Sequence, residues 1–475
     1  MVAISRAQRA ALGRKAREIR QACERQGLGP RQVAEAILQQ MPDILPLEAW
    51  RLARGWSRDR AVAELAALYE AEGRPAPAVN TAMLCRWEHA TVGISPDYRH
   101  MLCRLYDVSP EQVHTGGAVS PVLAETPRRL ESVTQRDGAD TLTSGNDDEG
   151  ADPMRRRTLL TAAGLSVPLS LLQRLDDALA VPPQPDRPVE PAQIAQRLQA
   201  ARRQFDAAEL TGLLATLPGL LTTAQETARR VNTPAGWALV SASYNLATDA
   251  LNKIGNKDSA RLTADRAMLY AERSEDAAAT GASARALGMM LRTQGRPDLA
   301  TVVMTKGIDG LTTTGLRTTS GAATHLRLLC ARAYTCAWAG DRDRALEGIA
   351  EAERAATRIP AMRPFVTLYR VDIHYALGDA GTALHAARHL RTGMYPTPER
   401  RGRLHTDLAR AWWQWGKPEQ TAAALLTAVQ HAPAEVRDRP SIRRIADELV
   451  EQHPRVAGVR ELSTAISQPR KPATV

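Results

Sequence analysis

Aromatic residues are scarce in this chain of 475 residues: they make up 4% of it, and only two are phenylalanine. β-Branched runs are scarce as well, while Ala, Leu, Arg, Glu and Gln dominate, which disfavours sheet and favours helix. The five cysteines, Cys23, Cys85, Cys103, Cys330 and Cys336, are odd in number, scattered and never spaced as CxxC. That excludes a disulfide scaffold and points to a reducing compartment. No run of 18 apolar residues occurs, so no membrane span is expected. The stretch from Met1 to Arg25 is basic and lacks an apolar segment, so no secretory signal is expected and the cytoplasm is the expected location. A P-loop, a dinucleotide glycine pattern and a nucleophile elbow are all missing. No enzyme activity, and therefore no cofactor, is expected.

What is present is helix-forming, apolar and basic. With 44% hydrophobic residues the chain can bury a large core, and its length calls for two or three domains. The net charge of +10 permits a nucleic-acid partner. Lysine is rare, six against 56 arginines, which fits a GC-rich genome as much as a functional selection. Charge divides the chain. Residues 1–115 have 16 basic and 13 acidic side chains; seven of the basic ones precede position 26. Residues 116–152 have 3 basic and 8 acidic side chains, many turn formers and little to bury, and read as a disordered acidic linker. Residues 153–189 read as a connecting helix followed by a Pro-rich break at Pro182, Pro183, Pro185 and Pro188. Within them Met154-Arg-Arg-Arg-Thr-Leu-Leu-Thr-Ala-Ala-Gly164 looks like a twin-arginine export signal, but 150 residues into the chain it reads as an amphipathic helix. Residues 466–475 read as a disordered tail.

Between 190 and 465 the chain repeats. Gly followed five residues later by a small residue occurs at Gly255/Ala260, Gly295/Ala300, Gly340/Ala345, Gly378/Ala383 and, more weakly, Gly416/Thr421, at spacings of 40, 45, 38 and 38 residues. Such periods mean stacked helical hairpins. Gly ends one helix in a left-handed cap, an acidic residue starts the next, and the small residue admits close approach. No single hairpin can bury its apolar face, so neighbours must stack. This segment resembles tetratricopeptide repeats, with a helical pair near 191–230 opening a right-handed solenoid and Ile442 to Leu449 closing it.

Residues 47–107 carry a second pattern. A helix from Leu47 ends at Gly55; Ser57 caps a helix from Arg58 to about Glu72; Asn80 caps one from Thr81; and Ser95-Pro96 opens a fourth. The Ser57-Arg58 start, the Asn80 to Glu88 helix, its Trp87-Glu88 step and Ser95-Pro96 resemble the phage-repressor or XRE-type helix-turn-helix. Met83-Leu-Cys-Arg-Trp-Glu88 looks like actinobacterial regulators of differentiation and antibiotic production that join this module to tetratricopeptide repeats. The resemblance implies that Thr81, Ala82 and Arg86 meet bases and that Arg58 and Asn80 meet phosphates. Leu84 and Trp87 are expected in the core, and Glu88 is expected to hold the fold. Two departures stand out. A dozen extra residues separate helices two and three, and His89 to Ile94 carries no Lys or Arg where relatives have a basic stretch. The basic arm with Arg6, Arg9, Arg17 and Arg20 could compensate.

The repeat resemblance also implies a concave groove. Carried over by position before each turn glycine, it is lined by Asn245, Asp249, Asn252 and Lys253, then Arg285, Met289 and Arg292. Arg327, Tyr334 and Trp338 follow, then Phe365, Asp372 and Tyr375, and last Arg403, Arg410, Trp413 and Gln414. The asparagines could hold a peptide backbone, the arginines an acidic or carboxylate-ended peptide, and the aromatics could floor the groove. His385 and His389 stand i, i+4, but no third ligand beyond His374 suggests itself, so no metal site is expected. Cys85 and Cys103 read as small buried thiols. Taken together, an all-α regulator is expected, with double-stranded DNA as partner, a homodimer to place two recognition helices, and a peptide or protein ligand in the groove. The alternative is a scaffold that binds another regulatory protein and not DNA.

Overall fold

A computed structural model describes residues 6–90, 93–113, 167–181, 189–314, 316 and 318–467. The expected linker, the Met154–Gly164 segment, the Pro182–Pro188 break and residues 468–475 of the tail lie outside the described residues. So do Thr91 and Val92. Among the described residues the chain is all-α, with no strand, and no helix is long and apolar enough to cross a membrane.

Six helices build the N-terminal bundle: α1 (Arg6–Arg25), α2 (Pro30–Gln40), α3 (Pro46–Ala53), α4 (Arg58–Ala71), α5 (Thr81–Glu88) and α6 (Pro96–Tyr106). Their starts follow local chemistry. The side chains of Ser57, Asn80 and Ser95 accept hydrogen bonds from the backbone N–H groups of Arg60, Met83 and Tyr98, satisfying donors that a helix start leaves open. Leu65, Leu84, Trp87 and Tyr98 are buried in one core. The basic arm is part of it. Helix α1 turns Ala16, Ile19 and Cys23 inward, and α2 adds Val33 and Ile37. Glu88, buried at the end of α5, accepts from Arg51 Nε, from Arg51 Nη2 at 3.2 Å and from Arg58 Nε at 2.6 Å. It ties α5 to α3 and α4.

The rest is a run of hairpins. Helix α7 (Leu169–Ala180) precedes the first pair, α8 (Pro191–Asp206) and α9 (Leu210–Val231), and packs on α9. Then come α10 (Pro234–Lys253) with α11 (Lys257–Ser274), α12 (Ala277–Thr293) with α13 (Pro297–Thr314), and α14 (Thr319–Ala339) with α15 (Arg342–Ala355). These are followed by α16 (Arg363–Ala376) with α17 (Ala380–Ala387), and α18 (Pro398–Gln414) with α19 (Pro418–His431). The end is closed by α20 (Pro433–Arg437), α21 (Pro440–Gln452) and α22 (Val459–Ser467). Gly255, Gly295, Gly340, Gly378 and Gly416 hold φ between +73° and +87°, the left-handed caps that the spacing predicts. Ala260, Ala300, Ala345 and Ala383 are fully buried, where a larger side chain would push paired helices apart.

The superhelix curls until its ends meet. Lys253, at the end of α10, pairs with Glu399 of α18 at 2.7 Å and with Glu435 of α20. The missing side chain of Gly255 leaves room for the Pro440 ring, whose Cγ would lie 2.9 Å from a Cβ there. This closure brings α8 beside α18 and narrows the concave side.

Candidate functional site

A cavity of about 760 Å³ fills the concave side, a size suited to a ligand of drug or short-peptide dimensions. Of the seventeen residues that position before a turn glycine assigns to the groove, thirteen line it, Asp249, Lys253, Met289 and Phe365 among them. Asn245 and Asn252 come from α10, Arg285 and Arg292 from α12. Arg327, Tyr334 and Trp338 come from α14, and Arg403 and Arg410 from α18. Four are placed elsewhere: Asp372 lies behind Arg403 and Arg410, Gln414 donates to the Tyr375 carbonyl at 3.3 Å, and Tyr375 and Trp413 are covered by arginines. Tyr375 lies under the Arg410 guanidinium, 4.1 Å from its ring centroid. Trp413 faces the N-terminal bundle and His453. Arg202, Phe205, Tyr369, Arg400 and Arg439 also line the cavity. Counting back from a turn glycine could not find Arg202 and Phe205, because they reach the site through the curling of the superhelix.

The lining holds ten Arg and Lys side chains against two carboxylates, Asp249 and Glu399. Carboxylates behind it offset part of this. Asp372 and Asp407 pair with Arg403 and Arg410 at 2.9–3.5 Å, Glu435 with Arg439 at 2.9 Å, and Asp206 with Arg202 at 3.4 Å. Asp249 takes Arg285 at 3.1 Å. Burial alone would raise Glu399, but Lys253 and Arg400 outweigh it and hold the carboxyl at about 2. Burial and the neighbouring Asp407 push Asp372 up to about 6.

Arg292 and Arg327 stand outside this pairing. Arg292 donates to the Thr335 hydroxyl at 3.1 Å and lies over the Tyr334 ring at 4.7 Å, with no carboxylate. Arg327 has no hydrogen bond or ion pair among the described residues. Burial, then the charges of Arg285, Arg400 and Arg202, bring its guanidinium down to about 10. In the same lining, the Asn245 amide donates to Ser283 Oγ at 3.0 Å while its carbonyl oxygen is buried without a partner. A half-buried, unopposed guanidinium and an idle buried acceptor in one cavity are each costly to leave unmet. A ligand carrying both an anionic group and an N–H would satisfy both.

The residues expected to meet DNA have partners within the chain. Arg58 donates to Glu88 at 2.6 Å and to Glu48 at 3.3 Å. Asn80 caps α5 with its oxygen and donates from Nδ2 to the Trp415 carbonyl at 3.2 Å. Arg86 donates to the Trp413 carbonyl, and its guanidinium lies 4.5 Å above the Trp413 ring. Ala82 abuts Gly416 so closely that a Cβ there would lie 2.7 Å from its own. Thr81 is half-buried beside them. The outward face of α5 is therefore covered by the turns of the solenoid.

His385 and His389 both receive hydrogen bonds from Arg388, at 2.6 and 2.8 Å on Nε2. His374 lies instead beside Asp379, at 3.7 Å, and no group of three metal-binding side chains occurs among the described residues. Compared with known proteins, the sequence matches no family model and no curated protein.

Proposed function

We propose that this protein is a ligand-responsive, sequence-specific DNA-binding regulator of transcription, acting in the cytoplasm as a homodimer. In this reading α4 and α5 form the helix-turn-helix of an XRE-like module, and the tetratricopeptide-like solenoid binds an acidic or carboxylate-ended peptide. Its field of action, by resemblance, is differentiation or secondary metabolism. One observation carries the ligand half: a basic cavity on the concave side with Arg327 unopposed and the Asn245 oxygen idle. The DNA half is supported by the capped start of α5 and by Glu88, which spends its charge on Arg51 and Arg58 and leaves Arg86 as the cation of that helix.

The test is selection of duplexes from a randomised library by the full-length chain, repeated at two salt concentrations. An enriched sequence that wild type prefers and Arg86→Ala does not supports the regulator. Equal, steeply salt-dependent binding to all duplexes, by wild type and also by Arg342→Glu, which breaks the ion pairs to Asp97 and Asp379 that hold the bundle on the solenoid, is the non-specific electrostatic term alone and overturns it. That result favours the scaffold reading, which the covered face of α5 also supports.

A further inference from the structure

Three successive turns of the solenoid each receive one residue of the N-terminal bundle. Gly340 faces Pro96 and Gly378 faces Tyr98, while Gly416 faces Ala82. A Cβ at Gly378 would lie 2.8 Å from the Tyr98 ring carbons. The glycines thus serve twice: their positive φ closes the hairpin, and their bare edge admits the bundle.

Polar groups follow the same register. Ser95 Oγ donates to the Leu377 carbonyl at 2.9 Å, and Asn80 Nδ2 to the Trp415 carbonyl at 3.2 Å. Leu377 and Trp415 are the residues immediately before the turn glycines of two consecutive hairpins. Their carbonyls lie at helix C-termini, where acceptors lack intrahelical donors, and Arg86 brings a positive charge to the negative end of α18. At the other end of the contact, Arg342 bridges the two parts. It donates to Asp97 of the bundle at 3.1 Å and to Asp379 of the solenoid at 2.6 Å. Tyr98 OH donates to the same Asp379 at 2.6 Å. Asp97 is held from its own side by Tyr69 at 2.8 Å and Arg74 at 2.7 Å.

We propose that this turn edge is a docking surface for the DNA-reading face of the same chain, so that docking and duplex binding compete for Asn80, Ala82 and Arg86. The proposal rests on the DNA-binding reading above. Arg86 cannot hold the Trp413 carbonyl and a guanine edge together, and Ala82 cannot meet a thymine methyl while it abuts Gly416. The docked state is silent toward DNA, and the affinity observed for a duplex is the intrinsic affinity scaled by the undocked fraction. Helices α14, α16 and α18 end in the three docking turns and also line the cavity, with Arg327, Tyr369 and Arg403 among their contributions. An occupant that changes their spacing acts on the docking, because one rigid bundle must fit three turns at once.

The experiment runs the randomised-duplex selection in parallel on full-length wild type, Arg342→Glu and Arg342→Glu/Arg86→Ala. Hydrogen exchange across residues 81–88 serves as a second readout. Arg342→Glu sets a third carboxylate against Asp97 and Asp379. It is expected to expose α5 to exchange and to bind its enriched duplex at least tenfold tighter than wild type, a gain that Arg86→Ala removes. Equal affinity of wild type and Arg342→Glu, with α5 exposed in the variant, overturns the proposal and leaves DNA binding standing. An exposed α5 with no enriched duplex in any variant overturns the DNA reading, and this proposal with it. Should Arg342→Glu fail to fold, Tyr98→Phe deletes only the hydroxyl on Asp379. It is expected to give a few-fold gain in the same direction, and no gain overturns the proposal.

Discussion

Two arginines on consecutive helices of the solenoid have opposite surroundings. Arg327, on α14, looks into the cavity with no carboxylate in reach, and burial with its cationic neighbours lowers its pKa. Arg342, at the start of α15, sits on the turn edge. Burial would lower it too, but Asp379, with Asp97, raises it well above the ordinary value. Both side chains are charged and largely shielded from water. The difference is that one environment is complete and the other is not. A complete environment holds structure together; an incomplete one is a place where an outside group can be the missing partner.

The sharpest way to break this contrast is to make a complete site incomplete. Glu88→Ala removes the carboxylate that buried Arg51 and Arg58 share and leaves both to Glu48 alone. Orphaning a buried charge outright costs roughly 3–5 kcal/mol, and two arginines on one carboxylate approach that cost. The N-terminal bundle is therefore expected to melt well before the solenoid, as two separated transitions in chemical unfolding. A single transition at the wild-type midpoint would mean that Arg51 and Arg58 find water or other acceptors, and completeness would lose its meaning as a criterion. Next in size is Gly378→Ala. A left-handed backbone costs a non-glycine residue roughly 1–2 kcal/mol, and here the new methyl also strikes the Tyr98 ring. Stability is expected to fall by that amount or more, with faster exchange in α6, whereas a fall without faster exchange would confine the damage to the turn.

Much of the fold was legible because its signals are local. A glycine with positive φ, a small buried residue five positions later and a Ser or Asn at an N-cap each act over one turn of chain. Their consequences appear at Gly340/Ala345 and at Asn80. The cavity was legible where helical phase alone decides which side faces inward, as for Asn245, Arg285 and Arg327. It failed at Tyr375 and Trp413, three residues before their glycines, the position that does face the cavity at Asn252 and Arg292. There a partner decides: Arg410 covers Tyr375, and Arg86 covers Trp413. The docking of α5 was not legible. It joins Asn80 to Trp415 across 335 residues, and no spacing rule reaches that far.

Acid offers a smaller, reversible probe of the same contrast. Asp97 and Asp379 are both held below their usual value in the docked state, because Arg74 and Arg342 for Asp97, and His374 and Arg342 for Asp379, outweigh burial. Folded values below unfolded ones stabilise above the unfolded value, and that contribution is lost as pH falls through the folded ones. Docking is therefore expected to loosen below about pH 4, read by exchange in α5 and α6. Asp372 has the reverse sign. Burial and Asp407 lift it to about 6, so the folded cavity binds a proton more readily than the unfolded chain, and stability falls as pH rises from about 4 toward 6. Asp372→Asn is expected to flatten that slope while keeping the low-pH loosening. Loss of both together would mean that the two regions titrate as one unit.

The smallest effect should have the opposite sign from all the others. Arg327→Met removes a cation that no carboxylate opposes and keeps an unbranched stem of similar reach. Nothing is orphaned, and Arg285, Arg400 and Arg202 lose a like-charged neighbour. Stability is expected to stay level or to rise by up to about 1 kcal/mol. The same change at Arg342 must destabilise, because Asp379 and Asp97 would lose their shared donor. A stabilising substitution at a residue that the chain nevertheless keeps charged is the signature of a site held for binding rather than for folding. If Arg327→Met instead costs as much as Arg342→Met, then Arg327 is already satisfied in solution by water, and the cavity loses its strongest reason for taking an anion.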